Sequence, residues 1–125
     1  MRKQYHFRRG ERGLLVWDVE RLIELSRGLP RSEVELAALR ELDEPYWFRE
    51  TETEPTCRAL VEHMRLIEGA DLSFPIILSS DGRVMDGMHR VAKALLAGLS
   101  TVPAVRFERD PEPDYLNRLA SDLLY

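Results

Sequence analysis

The 125-residue chain predicts an α+β fold, a small mixed β-sheet flanked by helices. Three observations carry this reading. Apolar stretches of strand length stand at Phe74–Leu78 and Thr101–Phe107. Stretches between residues 55 and 98 repeat their apolar residues at i, i+3, i+4 and i+7, the period of a helix. Gly, Asp and Pro punctuate these stretches, so that strands and helices follow one another along one domain-sized chain.

The first dozen residues carry Arg2, Lys3, Arg8, Arg9 and Arg12 against Glu11, about +4 in a chain whose formal net charge is −4. Residues 1–13 are therefore expected to be a basic, solvated N-terminal arm, with a single domain over 14–125. Asp18 suits a helix N-cap, and Val19, Leu22 and Ile23 continue at helical spacing until Gly28 and Pro30 stop the helix. Ser32–Leu36 alternates Val34 and Leu36 with Glu33 and Glu35, as a half-buried strand does. Ala37–Leu42 allows one helical turn. The aromatic group Tyr46-Trp47-Phe48 follows Pro45, and Glu50–Glu54 reads as an acidic surface loop. Pro55 fits the first position of a helix whose apolar stripe is Cys57, Leu60, Val61, Met64 and Ile67, ending at Gly69.

The strand at Phe74–Leu78 turns at Ser80-Asp81-Gly82 and returns through Arg83-Val84-Met85, a hairpin. A helix over Gly87–Ala97 sets Met88, Val91, Ala92 and Leu95 on one face, and Gly98 caps it. Thr101–Phe107 is the last strand. Pro111 and Pro113 are expected to open a final helix with Leu116, Leu119, Ala120 and Leu123 as its stripe.

Composition excludes several classes. No apolar run nears the roughly 20 residues that span a bilayer, so no membrane role is expected. The basic start lacks an apolar stretch behind it, unlike a secretory signal. The single cysteine, Cys57, cannot form an internal disulfide. Lying on the apolar stripe of its helix, it is expected to be a buried, inert thiol. These features together predict a cytoplasmic protein. The acidic body opposes broad electrostatic binding to duplex DNA.

The chemistry-bearing segment is Asp86-Gly87-Met88-His89-Arg90. A helix N-terminus is the positive end of the macrodipole, where cations are disfavoured unless an anion joins them. Free backbone N–H groups, a glycine and two cationic side chains compose a phosphate cradle. Arg90 is the first candidate for phosphate, or else the i+4 ion-pair partner of Asp86. His89 is a candidate to donate to phosphate or relay a proton, or to pack. Asp86 is a candidate to hold Mg²⁺ or to cap the helix. Gly87 permits close approach of backbone to a ligand or a strand. Met88 sits between them. Lys93, one turn on, extends the positive patch, and Ser79 reaches it from the hairpin. Tyr46, Trp47 and Phe48 offer either a base-stacking surface or a core plug. Three histidines without ligand spacing do not suggest zinc.

The stretch Pro75–Phe107 resembles the core of the ParB N-terminal and sulfiredoxin-like superfamily. Pro75-Ile76-Ile77-Leu78, Asp81-Gly82, Val84-Met85-Asp86, Gly87-Met88-His89-Arg90, Gly98 and Val102-Pro103-Ala104-Val105 carry the likeness in that order. The resemblance implies a nucleotide ligand, ATP or CTP, with Mg²⁺, and phosphotransfer or nucleotide hydrolysis as the activity. The catalytic Cys of sulfiredoxins is replaced by Met88, so thiol chemistry is not implied. The Gly-Glu-Arg-Arg of partition ParB proteins is likewise altered, and nothing here argues for the phosphodiester cleavage of a ParB-like nuclease. Asp-Gly-x-His-Arg is similar to the superfamily's small-molecule kinases, which use an acidic base elsewhere; Glu33, Glu35 and Glu41 are candidates by position. The alternative expectation is a non-catalytic module, either a DNA-partition accessory that uses the basic arm and Trp47 or a toxin–antitoxin type interaction protein. An oligomer is compatible with either.

Overall fold

The computed structural model describes residues 3–48, 54–119 and 122–123. Its order is β1 (Tyr5–Gly10), β2 (Gly13–Asp18), α1 (Val19–Ser26), β3 (Ser32–Glu35), α2 (Cys57–Gly69), β4 (Ile76–Leu78), β5 (Val84–Asp86), α3 (Met88–Leu96), β6 (Thr101–Arg106) and β7 (Tyr115–Leu116), with short 3₁₀ turns at Leu36–Ala38, Arg40–Asp43 and Tyr46–Phe48. The class is α+β. Two sheets form rather than one: three strands in the order β1-β2-β7, and four in the order β3-β6-β4-β5.

The four-stranded sheet is mixed. β6 runs parallel to β4 and antiparallel to β3, and β5 is antiparallel to β4. Its side chains alternate between two cores, as the two-residue period of a strand requires. Ile76, Leu78, Val84, Val102 and Ala104 join Met88, Val91 and Ala94 of α3. Ile77, Met85, Val105 and Phe107 join Trp17 and Leu22 on the other face. The sheet is thus covered by α3 on one side and by α1 and β2 on the other. This is why its strands read as continuous apolar runs.

Most local expectations hold. Asp18 caps α1 by accepting from Glu20 N at 2.9 Å, and Thr56 caps α2 by accepting from Ala59 N at 3.1 Å. The hairpin β4–β5 closes at Gly82 with φ +83°. No helix among the described residues is long and apolar enough to cross a membrane.

Several expectations are corrected. The basic N-terminal segment is not a free arm: Tyr5–Gly10 pairs with β2 along its whole length. Lys3, Arg8 and Arg12 pair with Asp18, Asp110 and Glu112, so their charge is largely answered within the chain. The final helix does not form over the residues that Pro111 and Pro113 introduce. Asp114 N and Asn117 N donate to Val16 O and Leu14 O, and the side chains of both residues accept from β2 amides, so the open edge of β2 claims this segment as β7. Leu119 is exposed, and Ala120 lies outside the described residues.

Helix α2 begins after Pro55 rather than on it, and of its apolar stripe only Ile67 is buried. Leu60, Val61 and Met64 are about half exposed, and Cys57 is exposed. In α3, Ala94 is buried where Leu95 was expected, and Leu95 is exposed. Of the acidic loop, residues 50–53 lie outside the described residues.

Candidate functional site

The sheet holds Asp86 and the start of α3 at one edge. Asp86 ends β5 opposite Ile77, and Gly87 follows with φ +107°, a conformation that turns the chain directly into α3. A Cβ on Gly87 would stand 2.6 Å from Ile76 Cγ2 and 3.2 Å from Ile76 Cα. The glycine therefore serves helix-to-strand packing. Met88 is buried in the core beneath it.

Arg90 turns back over this corner. Its Nη2 donates to Asp86 Oδ2 at 3.1 Å, and its Nη1 donates to Pro75 O at 2.5 Å and to Phe74 O at 3.4 Å. The i, i+4 ion pair is the arrangement found, and the guanidinium also ties the entry of β4 to α3. Burial pushes the Asp86 carboxyl above the usual carboxylate range, against the pull of Arg90 and of the Gly87 N–H. Asp86 itself thus supplies the anion at this helix start. Its counter-charge is Arg90, and a divalent cation placed there would face that guanidinium at close range. These residues do not fit Mg²⁺, and among the described residues no group of three His, Cys, Asp or Glu side chains is gathered anywhere.

The remaining candidates separate. Lys93 donates to Glu68 O and Ala70 O at 2.9 and 2.7 Å, neutralising the carbonyl end of α2 rather than extending a positive patch. Ser79 is fully buried at the other end of β4. Its hydroxyl donates to Asp81 and accepts from Arg83 N, so it builds the hairpin turn. Glu33 and Glu35 are exposed on β3. Glu41 is buried against β5, where its Oε2 accepts from Val84 N at 2.7 Å and meets Arg83 Nε at 3.1 Å. None of the three lines the corner at Asp86.

His89 points to the opposite side from Arg90. Its Nε2 lies 2.8 Å from His63 Nδ1 of α2, and Trp47 stacks on both imidazoles with centroids at 4.6 and 4.3 Å. Phe48 meets His63 edge-on. The aromatic segment is thus a plug that joins the 3₁₀ turn to α2 and α3. A hydrogen bond between two imidazoles needs one nitrogen to donate and the other to accept, so it cannot survive protonation of both rings. Burial, with a smaller contribution from His63, lowers the His89 pKa to about 4, and burial also lowers that of His63.

A depressed histidine pKa means that the neutral ring is the one the fold favours. The stability it contributes is complete above the ordinary value near 6.5 and is lost as pH falls from there toward 4. We expect urea denaturation to show a loss of about 2 kcal/mol across this window, discounted for the ring's partial exposure. His89→Gln should flatten the slope, and equal slopes would contradict the assignment.

Beside Asp86 a cavity of about 640 Å³ opens between α1 and the sheet. Ile23, Leu29, Phe74, Pro75, Ile77 and Val105 form its apolar walls. Asp86 and Arg90, both partly buried, and the exposed Arg27 and Arg31 complete the lining. Arg31 donates to Ser73 O at 2.9 Å, whereas Arg27 makes no ion pair among the described residues. Three arginines against one aspartate give the wall a formal +2. Sequence reasoning missed Arg27, Arg31 and the apolar wall. Two arginines bracketing the helix-stopping Gly28-Leu29-Pro30 were the available signal, but only the packing of α1 on the sheet brings them to one cavity with Asp86.

Comparison with known proteins adds no relative: no family model, no curated protein and no solved structure matches this chain.

Proposed function

We propose that this domain binds a phosphorylated ligand of the nucleotide class, ATP or CTP, in the cavity between α1 and the sheet. One observation carries the reading: a cavity of ligand size joins apolar walls to a surplus of arginine. The apolar part of the ligand lies against Leu29, Ile77 and Val105. Its phosphates stay with the exposed Arg27 and Arg31, because charge is costly to bury and guanidinium groups match phosphate oxygens. Arg90 shapes the site by holding Asp86 and the entry of β4. The superfamily resemblance of Pro75–Phe107 supports the same ligand class. Binding is favoured over phosphotransfer or hydrolysis, since the one carboxylate on the cavity wall is held by Arg90.

Calorimetric titration with ATP, ADP, CTP and GTP, each with and without Mg²⁺, tests this. The native protein should bind at least one of them, with little dependence on Mg²⁺. Arg27→Ala should bind about tenfold more weakly, the loss of one charge-assisted hydrogen bond. Absence of binding by the native protein overturns the proposal. Equal binding by the variant removes Arg27 from it.

A further inference from the structure

A second cavity, of about 220 Å³, lies between β1 and β5, away from the first. Its wall comprises His6, Phe7, Arg8, Arg9, Glu41, Arg83 and Val84. Glu41 is the unusual member. Its side chain is 1% exposed, and Oε2 is spent on Val84 N and Arg83 Nε, yet Oε1 has no partner among the described residues. Arg83 repeats the pattern. Its Nε faces Glu41 and its Nη2 donates to Glu44 at 2.6 Å, while its buried Nη1 has no partner. One buried acceptor and one buried donor, both charged, thus stand unmatched on side chains that line this small cavity. Leaving such groups unmade is expensive, which makes them strong selectors of whatever enters.

We propose that this cavity binds inorganic phosphate as a protonated oxyanion. The phosphate oxygens accept from Arg83 Nη1, and the P–OH donates to Glu41 Oε1. Arg8 and Arg9 add positive charge to the wall, although Arg8 is also paired with Asp110 at 2.9 Å. The carboxylate therefore decides which anion fits. Hydrogenphosphate keeps an O–H at neutral pH and satisfies both groups. Sulfate has the same shape and charge but no proton to give, and would set an oxygen against Glu41 Oε1. A phosphate monoester loses its last P–O–H above a pKa near 6 and then behaves as sulfate does.

The test is calorimetry on the native protein at pH 8 with inorganic phosphate, sulfate and methyl phosphate. Phosphate should bind at least tenfold more tightly than the other two. On titration it should shift the backbone amide resonance of Val84, whose N–H donates to Glu41, and leave that of Leu29 in the first cavity in place. Glu41→Gln keeps an acceptor for Val84 N but can also turn an amide donor toward the anion, so it should narrow the phosphate-to-sulfate ratio. Equal affinity for phosphate and sulfate, or binding of neither, overturns the proposal. Tight binding of methyl phosphate at pH 8 also overturns it, because no proton then reaches Glu41. Phosphate that shifts Leu29 rather than Val84 assigns the binding to the first cavity and rejects this one.

Discussion

Gly87→Ala is expected to destabilise the fold by about 3 kcal/mol. Two costs combine. At φ +107° an L side chain is strained by about 1–2 kcal/mol. The new methyl would also lie 2.6 Å from Ile76 Cγ2 and 3.2 Å from the Ile76 backbone, so β4 itself must move, an overpacking cost of about 1–3 kcal/mol. Gly98 provides the comparison. It also has positive φ, at +77°, but a Cβ there meets nothing within 4 Å. Gly98→Ala should therefore cost only about 1 kcal/mol, the backbone term alone. Urea denaturation of both variants separates the two terms, and equal losses would show that contact with Ile76 contributes nothing. Because Gly87 joins Asp86 to α3, the larger loss should come with weakened binding of the nucleotide proposed for the adjacent cavity.

Glu41→Ala is expected to cost a similar amount, about 3 kcal/mol. The substitution strands Val84 N–H without its acceptor, removes one of the two carboxylates facing Arg83, and opens a void at a site 2% exposed. Glu41→Gln keeps an acceptor for Val84 N–H and most of the volume. It should cost only about 1 kcal/mol, the charge-assisted part of the interaction. If both substitutions cost the same in urea denaturation, the charge of Glu41 rather than its hydrogen bond to β5 holds this corner. If neither destabilises, the buried pair is not a structural element.

Local chemistry made much of the domain legible in advance. Asp18, Gly28 and Pro30 delimit α1 because capping and stop signals act within a few residues. Phe74–Leu78 and Thr101–Phe107 announce strands of a sheet covered on both faces, although Phe74 itself is exposed and precedes the strand. Asp81-Gly82 specifies the hairpin because glycine alone accepts the required φ so easily. Long-range partners were not legible. The pairing of β1 with β2 and of β7 with β2 depends on an open edge that no window of sequence contains. The exposure of Leu60, Val61 and Met64 depends on which part of α2 meets α3.

The candidate site divides along the same line. The order Asp86-Gly87-Met88-His89-Arg90, its place at a strand-to-helix corner and the i, i+4 pairing of Asp86 with Arg90 are set by residues near one another in the chain, where spacing alone determines contact. Tertiary structure alone decided that His89 joins His63 under Trp47, that Lys93 caps α2, and that Arg27 and Arg31 meet Asp86 around one cavity. Those contacts bring together residues 16 to 59 positions apart, and only the packing of whole elements around the sheet fixes such distances.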